Sequence, residues 1–283
     1  MLLASEGVCV LSNLNELKNN QVEELKNVVQ TECVSIDLPK KYVVCQQSQL
    51  SVPVTGKIWA CCETMKKQGT RSHKTSTSIQ DCTQLSKTLV DNFSLVFLMT
   101  EDEVTSSELF AETLIVQNIL KRASDEIEKE ISRIPDNEFM EFLQYAASIQ
   151  PSFKNEARDL IQGFYLASRR SRSSGVAGVE FPIAALKSMM SLAEAHAKLN
   201  LRSEVSEDDA VMAILLYEES IIARVGYSVL GVNPVHHFKD ENDMCYIGEQ
   251  NDKKMTQLKI HMKRFCSLHS NYKYSPGYIP HEE

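Results

Sequence analysis

Short apolar runs separated by amphipathic stretches dominate the chain up to Met99, and helical spacing takes over beyond it. Gly7-Val8-Cys9-Val10-Leu11 is a continuous apolar run rich in β-branched residues, the pattern of a strand covered on both faces. From Asn19 to Val29 the apolar Val22, Leu25, Val28 and Val29 recur at helical spacing among Glu and Lys, which predicts an amphipathic helix. Cys33-Val34-Ser35-Ile36 and Tyr42-Val43-Val44-Cys45 flank the turn-like Leu38-Pro39-Lys40-Lys41 and predict a hairpin with a basic tip. Lys57-Ile58-Trp59-Ala60-Cys61-Cys62 and Leu95-Val96-Phe97-Leu98-Met99 are two more buried-strand candidates, with a basic, Ser/Thr-rich loop from Lys66 to Gln80 between them. Strands alternating with helices predict a parallel α/β sheet.

Downstream of Thr105, Leu109, Phe110, Thr113, Leu114 and Val116 open a long helix that continues through a charged face from Asp125 to Arg133. Phe139, Phe142, Leu143 and Ala146 mark the next helix, and residues 155–170 a third. Arg169 to Gly178 reads as a Ser/Gly/Arg linker, after which Ile183, Leu186, Met189, Met190, Ala193 and Ala197 form an apolar stripe that belongs to core packing. Ser206-Glu207-Asp208-Asp209 resembles a capping box that opens a helix through Ala213, Ile214, Tyr217 and Ile221. After Gly226 the pattern weakens: residues 227–283 carry one candidate helix, Lys253 to Leu268, and otherwise read as disordered or partner-dependent.

Composition narrows the function classes. With 283 residues and 43% hydrophobic content the chain can bury a core, while a formal charge of −8 offers no global attraction to polyphosphate. Any nucleic-acid contact must then come from a local patch or a partner. The 8 cysteines include the adjacent Cys61 and Cys62 but no Cys-x-x-Cys spacing, so they read as reduced intracellular thiols rather than a zinc or redox site. Ser5 and Glu6 follow Met1-Leu2-Leu3-Ala4 too soon for a signal peptide, and no run reaches the roughly 18 apolar residues of a membrane span. A soluble protein of the cytosol or nucleus, with no membrane partner, is the expectation.

Three segments in order resemble the minichromosome maintenance family of AAA+ helicase subunits. Leu2 to Leu17 is similar to that family's Walker B strand, which ends in Asp-Glu; Ser12 and Asn13 stand at those two positions. Leu89-Val90-Asp91-Asn92-Phe93-Ser94-Leu95-Val96-Phe97 is similar to the segment that carries its arginine finger, and Asn92 takes the arginine's place. Ala184 to Leu199 resembles the lid helix, with Ala184 at the sensor arginine. At the other sensor, Cys62 or Glu63 stands where the family has Asn.

The resemblance implies a partial AAA+, P-loop NTPase-like parallel sheet with helices over residues 1–104, an all-helical lid over 105–226, and a weakly structured tail over 227–283. It also implies a shortened form beginning at the Walker B strand, whose nucleotide loop lies upstream. The Walker B pair works through carboxylates, one on the Mg²⁺ shell and one on the attacking water, and an arginine finger contributes about 10³ to 10⁵ in rate. Alcohol, amides and a methyl do neither job. The implied role is therefore non-catalytic: binding to related subunits or recombination proteins, and to DNA, in meiotic recombination and double-strand-break repair in the nucleus. ATP and Mg²⁺ would enter only in a longer form, and the alternative is an ATP-dependent helicase subunit built on that upstream loop.

Several features have plainer readings beside the functional ones. Lys40 and Lys41 fall near the family's pre-sensor hairpin, which the resemblance implies could touch DNA; two lysines at a hairpin tip are otherwise ordinary solvated residues. Arg169, Arg170 and Arg172, next to Ser171, Ser173 and Ser174, could bind phosphate or invite phosphorylation, but read better as a solvated helix end. The basic loop of Lys66, Lys67, Arg71, His73 and Lys74 is likewise read as a solvated loop rather than a DNA site. His196 lacks a partner in the linear pattern and reads as a packing or surface residue, and His236-His237 as no metal site. Lastly, a strand this close to the first residue predicts uncovered faces on Val8 to Leu11 and Ile58 to Cys61, and a chain that would fold poorly by itself.

Overall fold

A computed structural model describes residues 1–37, 49–63, 79, 83, 85–98, 116, 119–120, 134–173, 181–231 and 249–269. The chain divides into two compact units, one of Met1–Leu98 with Ser220–Tyr227, the other of Met99–Glu219 with Ser228–Glu283.

In the first unit β1 (Val8–Leu11) is followed by a 3₁₀ turn (Leu14–Glu16) and α1 (Asn19–Thr31). Glu32, at φ 54°, ends α1 by returning its N–H to the Val28 carbonyl, and the chain turns at once into β2 (Cys33–Asp37). β3 (Gln49–Pro53), β4 (Lys57–Ala60) and α2 (Lys87–Asn92) complete the unit. β1 and β4 pair in parallel with Val10 opposite Trp59, and β2 and β3 pair antiparallel with Ser35 opposite Ser51. Leu14, Leu25 and Leu89 form the core, supported by Val22, Ile58 and Phe93. The chain enters β4 through Gly56, where a β-carbon would lie 2.3 Å from the Ala4 carbonyl oxygen.

Three strand expectations change. β1 is covered on one face only: Cys9 and Leu11 are half-buried, whereas Val10 and Trp59 on the other face are 62% and 64% exposed. The unclad face was anticipated, because a two-stranded pair has nothing to place on its second side. β2 pairs with Gln49–Pro53, a partner the sequence reading did not expect, while residues 42–45 and the Lys40-Lys41 tip lie outside the described residues. Leu95–Leu98 enters no ladder; the Val96 N–H is satisfied by the Ser220 hydroxyl at 2.8 Å, a side chain in place of a neighbouring strand.

The second unit is helical: α3 (Asp136–Ser148), α4 (Asn155–Ser173), α5 (Ile183–Leu199), α6 (Glu207–Val225, counted to the first unit from Ser220 on) and α7 (Glu249–His269), with Ser152–Phe153 (β5) and Glu204–Val205 (β6) forming a two-residue parallel pair. Its core draws Leu160 and Phe164 from α4, Met189 and Ala193 from α5, and Ile214 and Tyr217 from α6. Of the expected capping box one half is present: Asp209 Oδ2 accepts from the Ser206 N–H at 2.7 Å, and the Ser206 hydroxyl donates to the same oxygen at 2.8 Å. The long helix expected from Leu109 to Arg133 falls almost wholly outside the described residues, as do Lys66 to Lys74 and His236-His237.

One expectation for this unit is overturned. The supposed linker from Arg169 is helical to Ser173, and Arg172 is 2% exposed rather than solvated. The helix expected at Lys253 to Leu268 is present, runs Glu249–His269 and packs on α4. Met262 and Cys266 are fully buried, Phe265 meets Phe164 at 6.0 Å between ring centres, and Cys266 lies against Gly163. Burying side chains of this size contributes roughly 1.5–3 kcal/mol each for the larger ones, which is why a weakly patterned segment still orders here.

Candidate functional site

β1 and β4 run in parallel, so the chain leaves both at the same edge, the edge at which open α/β sheets bind ligands. Cys61 N–H donates to Leu11 O at 2.8 Å and Leu14 N–H to Cys61 O at 3.1 Å, stitching the two exits together. Asn13, at φ 54° and ψ 54°, uses the left-handed region that asparagine tolerates to swing the chain into the 3₁₀ turn. That turn drives Leu14 into the core and leaves Ser12 and Asn13 exposed at the rim.

Asn15 fastens the opposite side. Its Nδ2 donates to the Glu63 carbonyl at 3.0 Å, and its Oδ1 accepts from the Cys62 thiol at 2.9 Å. Burial raises the Cys62 thiol above its ordinary value and the Glu63 charge adds to that, against the downward pull of the Asn15 bond. The thiol therefore stays protonated at neutral pH and acts as a donor, not a nucleophile. Ser12, Asn13, Cys62 and Glu63 are thus gathered at one edge, and among these four side chains only Glu63 is a carboxylate.

Asn92 is placed elsewhere. At the end of α2 its Oδ1 accepts from Gln30 Nε2 of α1 at 3.1 Å, while its Nδ2 is buried with no hydrogen-bond partner among the described residues. Ala184 lies exposed in the first turn of α5, in the second unit. Lys40 and Lys41 lie outside the described residues. Among the described residues no cluster of three or more His, Cys, Asp or Glu could hold a metal, and no helix is long and apolar enough to cross a membrane.

Two polar networks in the second unit escaped the sequence reading. Asp209, whose side chain is fully buried, accepts from His196 Nδ1 at 2.6 Å, from Arg202 Nη2 and from Ser206. Burial pushes its carboxyl upward, but the His196 and Ser206 bonds and the Arg202 charge together hold it below the usual carboxylate value. His196 therefore has a carboxylate partner after all, 13 residues away across the turn between α5 and α6. Arg172 pairs with the buried Glu218 at 2.8 Å and lies over the Phe181 ring, while Ser228 donates to the second Glu218 oxygen at 2.7 Å. The only signal for Asp209 was the capping box; nothing local links Arg172 to a residue 46 positions on.

The helices from α3 into α6 coincide with a known domain, for residues 137–221 match the MCM AAA-lid domain. The chain is also 31% identical, over 98% of its length, to human minichromosome maintenance domain-containing protein 2, and 30% identical over 94% to its mouse counterpart. The chain resembles the minichromosome maintenance family over almost all of its length. More distant minichromosome maintenance relatives include the Arabidopsis thaliana protein named probable DNA helicase MCM9, 25% identical over 86% of the chain and 36% of the relative. The chain spans about 40% of the length of the human relative and 39% of the mouse one.

Proposed function

We propose that this minichromosome-maintenance-like chain is a binding subunit without ATPase activity, acting in the nucleus in meiotic recombination and double-strand-break repair. Its partners would be related subunits or recombination proteins, with DNA as a further ligand. The observation that carries this reading is the donor set at the shared edge of β1 and β4: an alcohol, an amide, a thiol and one carboxylate. Mg²⁺ beside a nucleotide favours hard oxygen ligands with a carboxylate among them, and hydrolysis needs a group that polarises water. Ser12 and Asn13 supply neither charge, and Asn92 spends its carbonyl oxygen on Gln30. The set does not fit Mg·ATP chemistry, which supports binding over turnover. The role in recombination rests on the likeness to minichromosome maintenance domain-containing protein 2.

The test is Mg²⁺-dependent ATP hydrolysis by the purified chain, alone and with single-stranded DNA, beside a Ser12→Ala/Asn13→Ala variant. The expected rates for both proteins equal the protein-free blank. A DNA-stimulated rate that the double substitution abolishes would overturn the reading in favour of a helicase subunit.

A further inference from the structure

α7 holds 21 residues in helical order, and the residues it buries are Met262, Phe265 and Cys266, all close to its C-terminal end. None of the residues from Asn251 to His261 is buried, and Ile260 among them is 41% exposed. Conformational entropy is lost along the whole helix, while the apolar gain comes mainly from its last two turns. An element with that balance sits at the low end of local stability.

Charge makes up the difference. Lys259 Nζ lies 2.9 Å from Glu207 Oε2 and 2.9 Å from Asp208 Oδ1, and Lys263 Nζ lies 2.7 Å from Glu207 Oε1. The Lys259 and Glu207 side chains are 27% and 17% exposed, so salt screens this pair only in part. Both acids stand in the first turn of α6, where the helix dipole favours a negative charge. At the far end Arg170 Nη1 of α4 donates to the His269 carbonyl at 3.1 Å.

The core beneath is built by other elements. Leu160 and Phe164 of α4, Met189 and Ala193 of α5, and Ile214 and Tyr217 of α6 are buried there, and the match to the MCM AAA-lid domain ends at 221, ahead of α7. We infer that α7 is a strap latched by ion pairs, which opens from α4 as a unit while α4, α5 and α6 stay folded. Opening uncovers Gly163 and Phe164 on α4 and frees the Cys266 thiol that lies against Gly163. This is independent of whether the chain turns over ATP, since α7 shares no residue with the β1–β4 edge.

Hydrogen exchange of the whole chain, resolved by peptide mass spectrometry, reads the opening of α7 against α4 and α6. Alkylation of Cys266, quantified on its own peptide, reads it a second way, because that thiol is buried while α7 is seated. In the native chain α7 should exchange faster than α4, and faster still in high salt, with α4 unchanged. Lys259→Glu/Lys263→Glu should raise both α7 exchange and Cys266 alkylation by about tenfold. Glu207→Lys/Asp208→Lys should act alike, and the two pairs of substitutions combined should restore protection, because the ion pairs form again with their signs reversed. Lys254→Glu/Arg264→Glu, the same charge change on exposed cations of α7, should leave both readings at the native level. Exchange of α7 in step with α4 under every condition, or Cys266 alkylation unmoved by the charge reversals, would overturn the inference. Loss of protection in α4 and α6 together with α7 would overturn it too.

Discussion

Arg172 and Glu218 hold full charges where almost no water reaches, with side chains 1% and 0% exposed. Each is tolerable only because the other is there, and because Phe181 and Ser228 add a ring face and a hydroxyl. Arg172→Met should therefore destabilise the chain by about 3–5 kcal/mol, read by urea unfolding, because it strands the Glu218 carboxylate. Pairing it with Glu218→Leu should recover most of that loss; no recovery would mean that the pair is not the source. Asp209 makes a different argument. Its folded carboxyl ionises below an unfolded one near pH 3.9, so its contribution is complete above that pH and drains away as pH falls through the lower folded value. Asp209→Asn should cost about 1–2 kcal/mol at pH 7 through the lost cap and flatten the acid limb of the stability curve. A native-like slope below pH 4 in the variant would assign that limb to other carboxylates.

At the scale of elements, α7 shows how a segment without a strong pattern is recruited. Its apolar residues Met262, Phe265 and Cys266 occupy one face, and Lys259 and Lys263 reach Glu207 and Asp208 in the first turn of α6. Burial pushes the Cys266 thiol up to about 12, so it packs as an inert apolar group. The close approach is made over Gly163 of α4, where an added β-carbon would lie 3.5 Å from Cys266 Cβ, ordinary contact. Gly163→Ala should thus keep the packing and gain about 0.5–1 kcal/mol of helix propensity, visible as a raised midpoint in thermal unfolding. A lowered midpoint would show that α7 sits too tightly on α4 for a methyl group.

For the whole molecule, a formal charge of −8 offers no global attraction to polyphosphate, which accords with the proposed role in protein binding. The first unit holds the gathered rim of Ser12, Asn13, Cys62 and Glu63, and the second holds nearly all of the match to the MCM AAA-lid domain over 137–221.

The linear pattern was enough for the class of fold, for β1, β4 and the helices α3 to α6, for the helix start at Ser206, and for the family resemblance. Each of these rests on spacing along the chain or on an ordered set of short motifs. It was also enough to place neutral residues at Ser12, Asn13, Asn92 and Ala184, because residue identity needs no coordinates. Only the tertiary structure paired β2 with Gln49–Pro53, left Leu95–Leu98 without a ladder, and sent Arg172 inward to Glu218. It alone gave His196 a carboxylate and α7 a seat. Those outcomes depend on which distant group satisfies a donor or covers an apolar face, and local periodicity carries no information about a partner 46 residues away.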